Sequence, residues 1–201
     1  MGIGATGGAA DFESEGSRFD PWIPNHSLYK RIQFNNTELI AERILERIPK
    51  YLLTQCSTTF ELFDPDDFSD ITDLTEGLER MGGIDNLFCL GIVTVSPGSS
   101  PIHIDHGPHN VAFNFPILNC KRTQTILYST NENVNVDSKL GKLPNHIGIY
   151  EFEQNEVTEV TRFELDGPLL MNVKIPHQII NPNNGVRVSA SLRFKNEDKL
   201  F

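Results

Sequence analysis

The feature that most constrains the fold of this chain is a series of short apolar runs, separated by turn residues, that begins at Leu87. Each run has about the length of one β-strand, and the intervening segments are rich in Gly, Pro, Asn and Ser, which favour turns. The predicted strands are 87–95, 111–117, 123–129, 147–152, 157–165, 169–175 and 187–195. Several short strands connected in this way predict a mainly β fold, a sandwich or a barrel, and a jelly roll fits best.

The sequence before these runs has a helical pattern instead. Apolar residues recur at helical spacing over 39–48, and Pro49 lies near the end of this predicted helix. A second short helix is predicted over 74–81, with Gly82-Gly83 as its stop signal. We expect the helices to support the β core from outside.

The chain is predicted to form one domain. Residues 1–17 are rich in Gly, Ala, Ser and Glu and contain little to bury, which predicts a flexible leader. The rest, 18–201, has the size of a single domain. Within it we expect a helical N-terminal part at 18–86 and a β core at 87–195.

Composition excludes several classes of function. The net charge of −10, from 17 Lys and Arg against 27 Asp and Glu, opposes a phosphate-rich partner, so nucleic acid is not expected. The three cysteines lack C-x-x-C spacing, which argues against a disulfide framework and a thiolate zinc site. No apolar run approaches the ~20 residues of a membrane-spanning helix, and the start does not match a secretory signal. We therefore expect a cytoplasmic protein without a membrane partner. The sequence predicts no oligomeric state.

His103 and Asp105 are the first candidate site residues. Successive side chains of a β-strand point to opposite faces, so two residues that flank one neighbour project from the same face. His103-Ile104-Asp105 lies in a strand-like run, and its two polar side chains can reach one metal ion. A lone His-x-Asp is also common as a hydrogen-bonded pair at a strand end. A third ligand from a distant strand would complete the two imidazoles and one carboxylate of non-haem iron(II) oxygenases.

His177 supplies this third candidate ligand. It lies between an apolar run and the turn at 181–185, ahead of the strand that begins at Arg187. In that strand Arg187 and Ser189 share one face with Ser191 and Arg193. An inward Arg187 can bind a carboxylate through its guanidinium fork, with the hydroxyl of Ser189 as a further donor. The alternative is a solvated outer face.

The order His103-x-Asp105, His177, Arg187-x-Ser189 resembles the iron(II)- and 2-oxoglutarate-dependent oxygenases, over residues 87–195. The resemblance implies a double-stranded β-helix of the cupin-like jelly-roll type. It also implies that the two histidines and the acid bind Fe(II), and that Arg187 and Ser189 bind the distal carboxylate of 2-oxoglutarate. The implied reaction uses dioxygen, releases succinate and carbon dioxide, and hydroxylates a C–H bond of an amino acid, a peptide or another small molecule.

The branch of this family stays open. Gly107-Pro108-His109-Asn110, followed by a strand, is similar to the aspartyl/asparaginyl hydroxylase branch. That branch typically lacks the iron-binding acid that Asp105 would supply.

Four further residues are candidates for the pocket. Asn114 and Tyr128 are predicted to contact 2-oxoglutarate, and both fit equally well as hydrogen-bonded core residues. His106 and His109 follow His103 at spacings of three, but Gly107-Pro108 excludes a metal-binding helix face. We expect them beside the substrate, at the mouth of the pocket or on the surface.

Two other functions remain compatible with the sequence. The first is a metal-binding cupin enzyme that does not use 2-oxoglutarate, in which Arg187 would hold an acidic substrate. The second is a noncatalytic jelly-roll binding protein, in which the His and Asp side chains only form hydrogen bonds. Indifference to 2-oxoglutarate would favour the first, and failure to bind any divalent metal would favour the second.

Overall fold

A computed structural model describes residues 28–54, 57–132, 134–136, 140–142 and 148–200. The predicted leader at 1–17 lies outside these residues. The described residues contain two α-helices, α1 (Thr37–Leu45) and α2 (Thr72–Glu79). Short 3-10 helices occupy Lys50–Leu53, Pro65–Phe68, Ile84–Asn86, Gln154–Glu156 and Glu197–Leu200. None of the helices in this part of the chain is long and apolar enough to span a membrane.

The rest of the described chain consists mainly of β-strands. The strands are β1 (Tyr29–Arg31), β2 (Thr59–Phe63), β3 (Leu87–Val95), β4 (Gly98–Ser99), β5 (Ile102–Asp105), β6 (Val111–Leu118), β7 (Gln124–Thr130), β8 (Leu140–Lys142), β9 (Gly148–Phe152), β10 (Val157–Glu164), β11 (Leu169–Asn172), β12 (His177–Asn181) and β13 (Arg187–Phe194). They form two antiparallel sheets. Sheet I has the order β1-β11-β6-β13-β3-β2, and sheet II has the order β10-β7-β12-β5-β9-β8, with β4 beside β12.

The chain passes repeatedly from one sheet to the other. Strands β5, β6 and β7 alternate between the sheets, and so do β10, β11, β12 and β13. Two sheets wound together in this way form a double-stranded β-helix, so the predicted fold class is confirmed.

The helices cover the outer face of sheet I. Ile40 and Ile44 of α1 and Leu74 and Leu78 of α2 are fully buried in one cluster with apolar residues of sheet I. This explains why both helices carry apolar residues at helical spacing. On β13 the apolar residues that face this cluster are Val188, Ala190, Leu192 and Phe194.

Five strands were not predicted, namely β1, β2, β4, β8 and β12. Strands β1 and β2 lie in the part predicted to be helical, and both are short strands at an edge of sheet I. The predicted strand at 169–175 ends instead at Asn172, whose Oδ1 accepts a hydrogen bond of 2.8 Å from the backbone N–H of Lys174. This Asx turn redirects the chain to the other sheet, where His177 begins β12.

Candidate metal centre

His103 and His177 lie directly opposite each other on paired antiparallel strands, β5 and β12. Their ring centroids are 4.4 Å apart. Asp105 follows on the same face of β5, as strand alternation predicts. Its Oδ1 lies 3.5 Å from His103 Nε2 and 3.7 Å from His177 Nε2. The structure therefore brings together the three side chains that were predicted from distant parts of the sequence.

Backbone carbonyls orient both imidazole rings. His103 Nδ1 lies 3.0 Å from the carbonyl oxygen of Pro101, and His177 Nδ1 lies 2.8 Å from that of Ile175. A carbonyl only accepts, so each Nδ1 donates its proton and a neutral ring keeps a free lone pair on Nε2. Metal-binding histidines typically have such a fixed second nitrogen.

The three side chains fit a divalent metal ion. One ligand atom from each residue can be chosen so that all lie within 4.8 Å of one another, and His103 and His177 are buried. Among the residues that the structure describes, this is the one cluster of three such ligands. Two imidazoles and one carboxylate suit Fe(II) and related transition metals and leave other coordination positions open.

Electrostatics favours the ligand-competent forms of Asp105 and His177. Burial opposes the charged form of Asp105, but His103, Arg193 and His177 outweigh it, so the pKa of Asp105 lies well below its usual range. Burial and the neighbouring His103 lower the pKa of His177 to about 4. Burial also disfavours a charged His103, yet its contact with Asp105 raises the net pKa of this residue. At neutral pH, Asp105 is thus ionised and His177 is neutral.

The cluster faces a cavity of about 250 Å³ between the two sheets. Arg187, Ser189 and Asn114 also line this cavity, as predicted for an inward polar face of the last strand. Arg187 and Ser189 are 2% and 1% exposed. Burial lowers the pKa of Arg187, although a guanidinium stays protonated at neutral pH. Its Nε and Nη1 have no hydrogen-bond partner among the described residues.

Tyr128 does not line the cavity, contrary to the prediction that it contacts 2-oxoglutarate. Thr125, on the same strand, lines the cavity, whereas Tyr128 packs in a separate apolar cluster with Ile104 and Ile126 on the opposite face of sheet II. Its hydroxyl donates a 2.9 Å hydrogen bond to Gln178 Oε1. Tyr128 is therefore a hydrogen-bonded core residue, the alternative that the sequence left open.

His106 and His109 lie at the mouth of the cavity. His106 is exposed and packs edge-on against Tyr150, with the ring centroids 5.3 Å apart. His109 is partly buried with its ring 4.7 Å from that of Phe88, and burial together with Arg193 lowers its pKa. Phe88 and Leu62 also line the mouth and are 58% and 57% exposed, so the entrance is largely apolar.

Arg193 is the site residue whose contact the sequence did not predict. Its Nη2 donates a 2.5 Å hydrogen bond to Asp105 Oδ2. Strand alternation correctly predicts that Arg193 lies on the inner face of β13. Its contact with Asp105 joins β13 to β5, which lies in the other sheet, and only the folded structure shows this contact.

Comparison with known proteins agrees with the fold. No protein-family model and no curated protein matches the sequence. Among solved structures, the chain is similar to SnoK, a non-heme alpha ketoglutarate dependent carbocyclase from nogalamycin biosynthesis, with a TM-score of 0.52 and 9% identity over 83% of this chain and 79% of that chain.

Two further solved structures are similar at lower scores. A Pseudomonas putida prolyl-4-hydroxylase gives a TM-score of 0.45 and 14% identity over 83% of this chain and 91% of that chain. An oxalate oxidase gives a TM-score of 0.34 and 12% identity over 70% of this chain and 53% of that chain. Identities this low concern the fold alone, so the reaction has to be argued from the site.

Proposed function

We propose that this protein is an iron(II)- and 2-oxoglutarate-dependent oxygenase that hydroxylates a C–H bond of an amino acid, a peptide or another small molecule. The observation that carries the proposal is the combination, in one cavity, of the His103-Asp105-His177 cluster and a buried arginine with unpaired donors. The cluster fits the metal, and Arg187 fits the far carboxylate of the cosubstrate.

The charge of the cavity supports an anionic cosubstrate. Asp105 is the one acidic side chain among the lining residues, whereas Arg187 and Arg193 are both cationic. With neutral histidines the lining has a net charge of +1, that is +2 from the arginines and −1 from Asp105. A divalent metal would raise this charge further. The cavity therefore favours a dianion although the whole chain has a net charge of −10.

The unpaired donors of Arg187 need an acceptor. A buried charged group without hydrogen bonds is unfavourable, and such groups are normally paired. A carboxylate is the acceptor whose geometry matches the planar guanidinium. Ser189, two residues along the same strand face, adds a hydroxyl donor. The two groups would fix one end of 2-oxoglutarate and direct its other end to the metal cluster.

Apolar side chains form part of the cavity wall. Phe163, Leu165, Leu169 and Met171 are buried side chains on the cavity wall. A dry wall strengthens the electrostatic contacts made inside it and protects reactive species from side reactions. Iron(II) held by the cluster would supply dioxygen activation coupled to oxidation of 2-oxoglutarate to succinate and carbon dioxide. The chain itself would orient both cosubstrates and hold the C–H bond of the substrate close to the metal.

An anaerobic titration with iron(II) and 2-oxoglutarate tests the proposal. We expect a visible charge-transfer band that saturates with 2-oxoglutarate. In Arg187→Met the band should require about 100-fold more 2-oxoglutarate, because charge-assisted hydrogen bonds of about 1.5 kcal/mol or more each are lost. Arg162→Met is a matched control, since Arg162 lies on the exterior and pairs with Glu159.

The outcomes separate the candidate functions. Bound iron without any band would contradict use of 2-oxoglutarate and favour a metal enzyme in which Arg187 holds an acidic substrate. Failure to bind iron would contradict both enzyme proposals.

A further inference from the structure

We infer that Arg193 is a positioning residue that fixes Asp105 as a metal ligand through one oxygen only. This inference rests on the metal site of the proposed function, and it does not depend on 2-oxoglutarate. Arg193 Nη2 donates to Asp105 Oδ2 at 2.5 Å, whereas Asp105 Oδ1 faces His103 Nε2 and His177 Nε2. The two carboxylate oxygens thus have different partners, a guanidinium on one side and the imidazole pair on the other.

Arg193 is itself held in place by its neighbours. It is 7% exposed, and its Nη1 donates a 2.7 Å hydrogen bond to Ser191 Oγ. Its guanidinium carbon lies 5.9 Å from the ring centroid of Phe60, within the range of a cation–π contact. The fork of Arg193 therefore has little freedom to leave Asp105.

Gly91 makes room for this arrangement. A Cβ atom at Gly91 would lie 2.1 Å from Cζ of Phe60, so any side chain there would displace the ring. Gly91 lies opposite Ser191 on the paired strands β3 and β13. The absence of a side chain at this position lets the Phe60 ring lie across the inner face of sheet I, close to Arg193.

A fixed carboxylate has a chemical consequence. A freely rotating carboxylate can bind a metal with both oxygens and occupy two coordination positions. Engagement of Oδ2 by Arg193 leaves Oδ1 for the metal and keeps the second position open for exchangeable ligands. The charge of Arg193 acts in the opposite direction, because a guanidinium repels a divalent cation. Loss of orientation weakens metal binding and loss of repulsion tightens it, so the sign of the change identifies the role.

Calorimetric titration of the metal-free 201-residue chain with Ni²⁺ alone tests the inference. Nickel is chosen because imidazole sites bind it more tightly than Fe²⁺ or Co²⁺. We expect Arg193→Met to weaken Ni²⁺ binding about 10- to 100-fold, the usual effect of removing a residue that orients a metal ligand. Arg193→Lys, which keeps the charge but not the fork, should give an intermediate affinity. The exterior variant Arg162→Met should bind as the parent does.

A double-mutant cycle shows whether Arg193 acts through Asp105. In the Asp105→Ala background, Arg193→Met should no longer weaken Ni²⁺ binding, because the oriented group is already absent. Equal weakening in both backgrounds would overturn the inference, and so would unchanged or tighter binding in Arg193→Met alone. Thermal unfolding in a chelator checks that each variant folds. If Arg193→Met does not fold, Ser191→Ala carries the test, with an expected affinity loss of a few-fold, and unchanged affinity counts against the inference.

The same titration distinguishes this inference from the proposed function. A parent protein that binds no Ni²⁺ would contradict the metal site and with it the proposed function. A parent that binds Ni²⁺ while Arg193→Met binds equally well would contradict the role of Arg193 alone.

Discussion

The side chains on the two faces of β13 are equally buried but differ in their packing and in their hydrogen bonding. On the outer face, Val188, Ala190 and Leu192 pack into a continuous apolar cluster under the helices. On the inner face, Arg187 and Arg193 are also buried, yet Arg187 has donors without partners among the described residues. Burial on the outer face stabilises the fold, whereas on the inner face two buried donors of Arg187 remain available to the proposed ligand. We therefore expect changes on the two faces to affect different measurements.

The largest expected effect follows from a change on the inner lining. His177→Ala should abolish iron-dependent succinate formation, because the remaining His103 and Asp105 offer only two of the three ligands. The free energy of unfolding measured in a chelator should fall by much less than for loss of a core side chain. Wild-type turnover in this variant, with its iron content verified, would exclude His177 as a ligand.

Arg187→Met, on the inner face of β13, should weaken 2-oxoglutarate binding without destabilising the fold. Replacement of a buried charge that has two unpaired donors by an apolar side chain of similar length is expected to raise the free energy of unfolding of the ligand-free protein by about 1 kcal/mol. The same change should greatly raise the 2-oxoglutarate concentration needed for turnover. Denaturant unfolding without ligands measures the first effect. A large loss of stability would show that Arg187 is a structural residue.

Leu192→Ala is the matched change on the outer face. Leu192 is 1% exposed in the apolar cluster, so its truncation should lower the free energy of unfolding by about 2 to 5 kcal/mol. The affinities for Ni²⁺ and 2-oxoglutarate should stay as in the parent at temperatures where the variant is folded. Altered affinity would show that the two faces of β13 are coupled.

The free energy of unfolding of the metal-free protein should depend on pH through the three side chains of the candidate metal cluster. The pKa of His177 in the folded state is about 4, below its unfolded value of about 6.5, so its contribution to stability is present above pH 6.5 and is lost as the pH falls towards 4. The pKa of His103 is raised, so its contribution is already complete below pH 6.5. Asp105, with a lowered pKa, loses its contribution only below about pH 4.

His177→Gln should therefore flatten the stability profile between pH 6.5 and 4, as measured by denaturant unfolding at each pH. The same downward slope in the variant would assign the titration to other groups.

The smallest expected effect concerns Gly91→Ala. The added Cβ would displace the Phe60 ring and loosen Arg193 without removing any polar group. We expect Ni²⁺ affinity to fall by about two- to fivefold, less than the usual effect of removing an orienting residue outright. Gly148→Ala is a milder change at the cavity mouth, where a Cβ would lie 3.1 Å from His106 Nδ1, and it should leave Ni²⁺ affinity unchanged. An equal loss of Ni²⁺ affinity in both variants would show that the position of the Phe60 ring does not affect the metal centre.

Local rules of sequence predicted most of this architecture. Strand alternation correctly placed His103 and Asp105 on one face, and it gathered Arg187 and Ser189 on the inner face of β13. Helical periodicity correctly predicted α1 and α2 outside the β core, and the structure shows that they cover sheet I. These features depend on residues that are close together in the chain, so the spacing of apolar residues in the sequence is enough to predict them.

The remaining features depend on contacts between distant segments. The sequence of β7 does not show which of its faces is inward, because apolar residues occupy three consecutive positions, 126–128, and in the structure Thr125 rather than Tyr128 lines the cavity. The contact between Arg193 and Asp105 joins residues from opposite sheets. The strand β2 is short and carries polar residues, and its pairing with β3 identifies it. None of these contacts leaves a periodic pattern in the sequence.

The Asx turn at Asn172 has a consequence for how the chain tolerates insertions and deletions. Between Asn172 and His177 the backbone crosses from one sheet to the other, and β12 then alternates with His177 and Ile179 towards the cavity and Gln178 away from it. One residue added or removed in this crossing would exchange the two faces of β12 and turn Gln178 inward in place of His177. Most loops of a small domain tolerate changes of length, but here the length of the loop determines whether the three candidate metal ligands face one another.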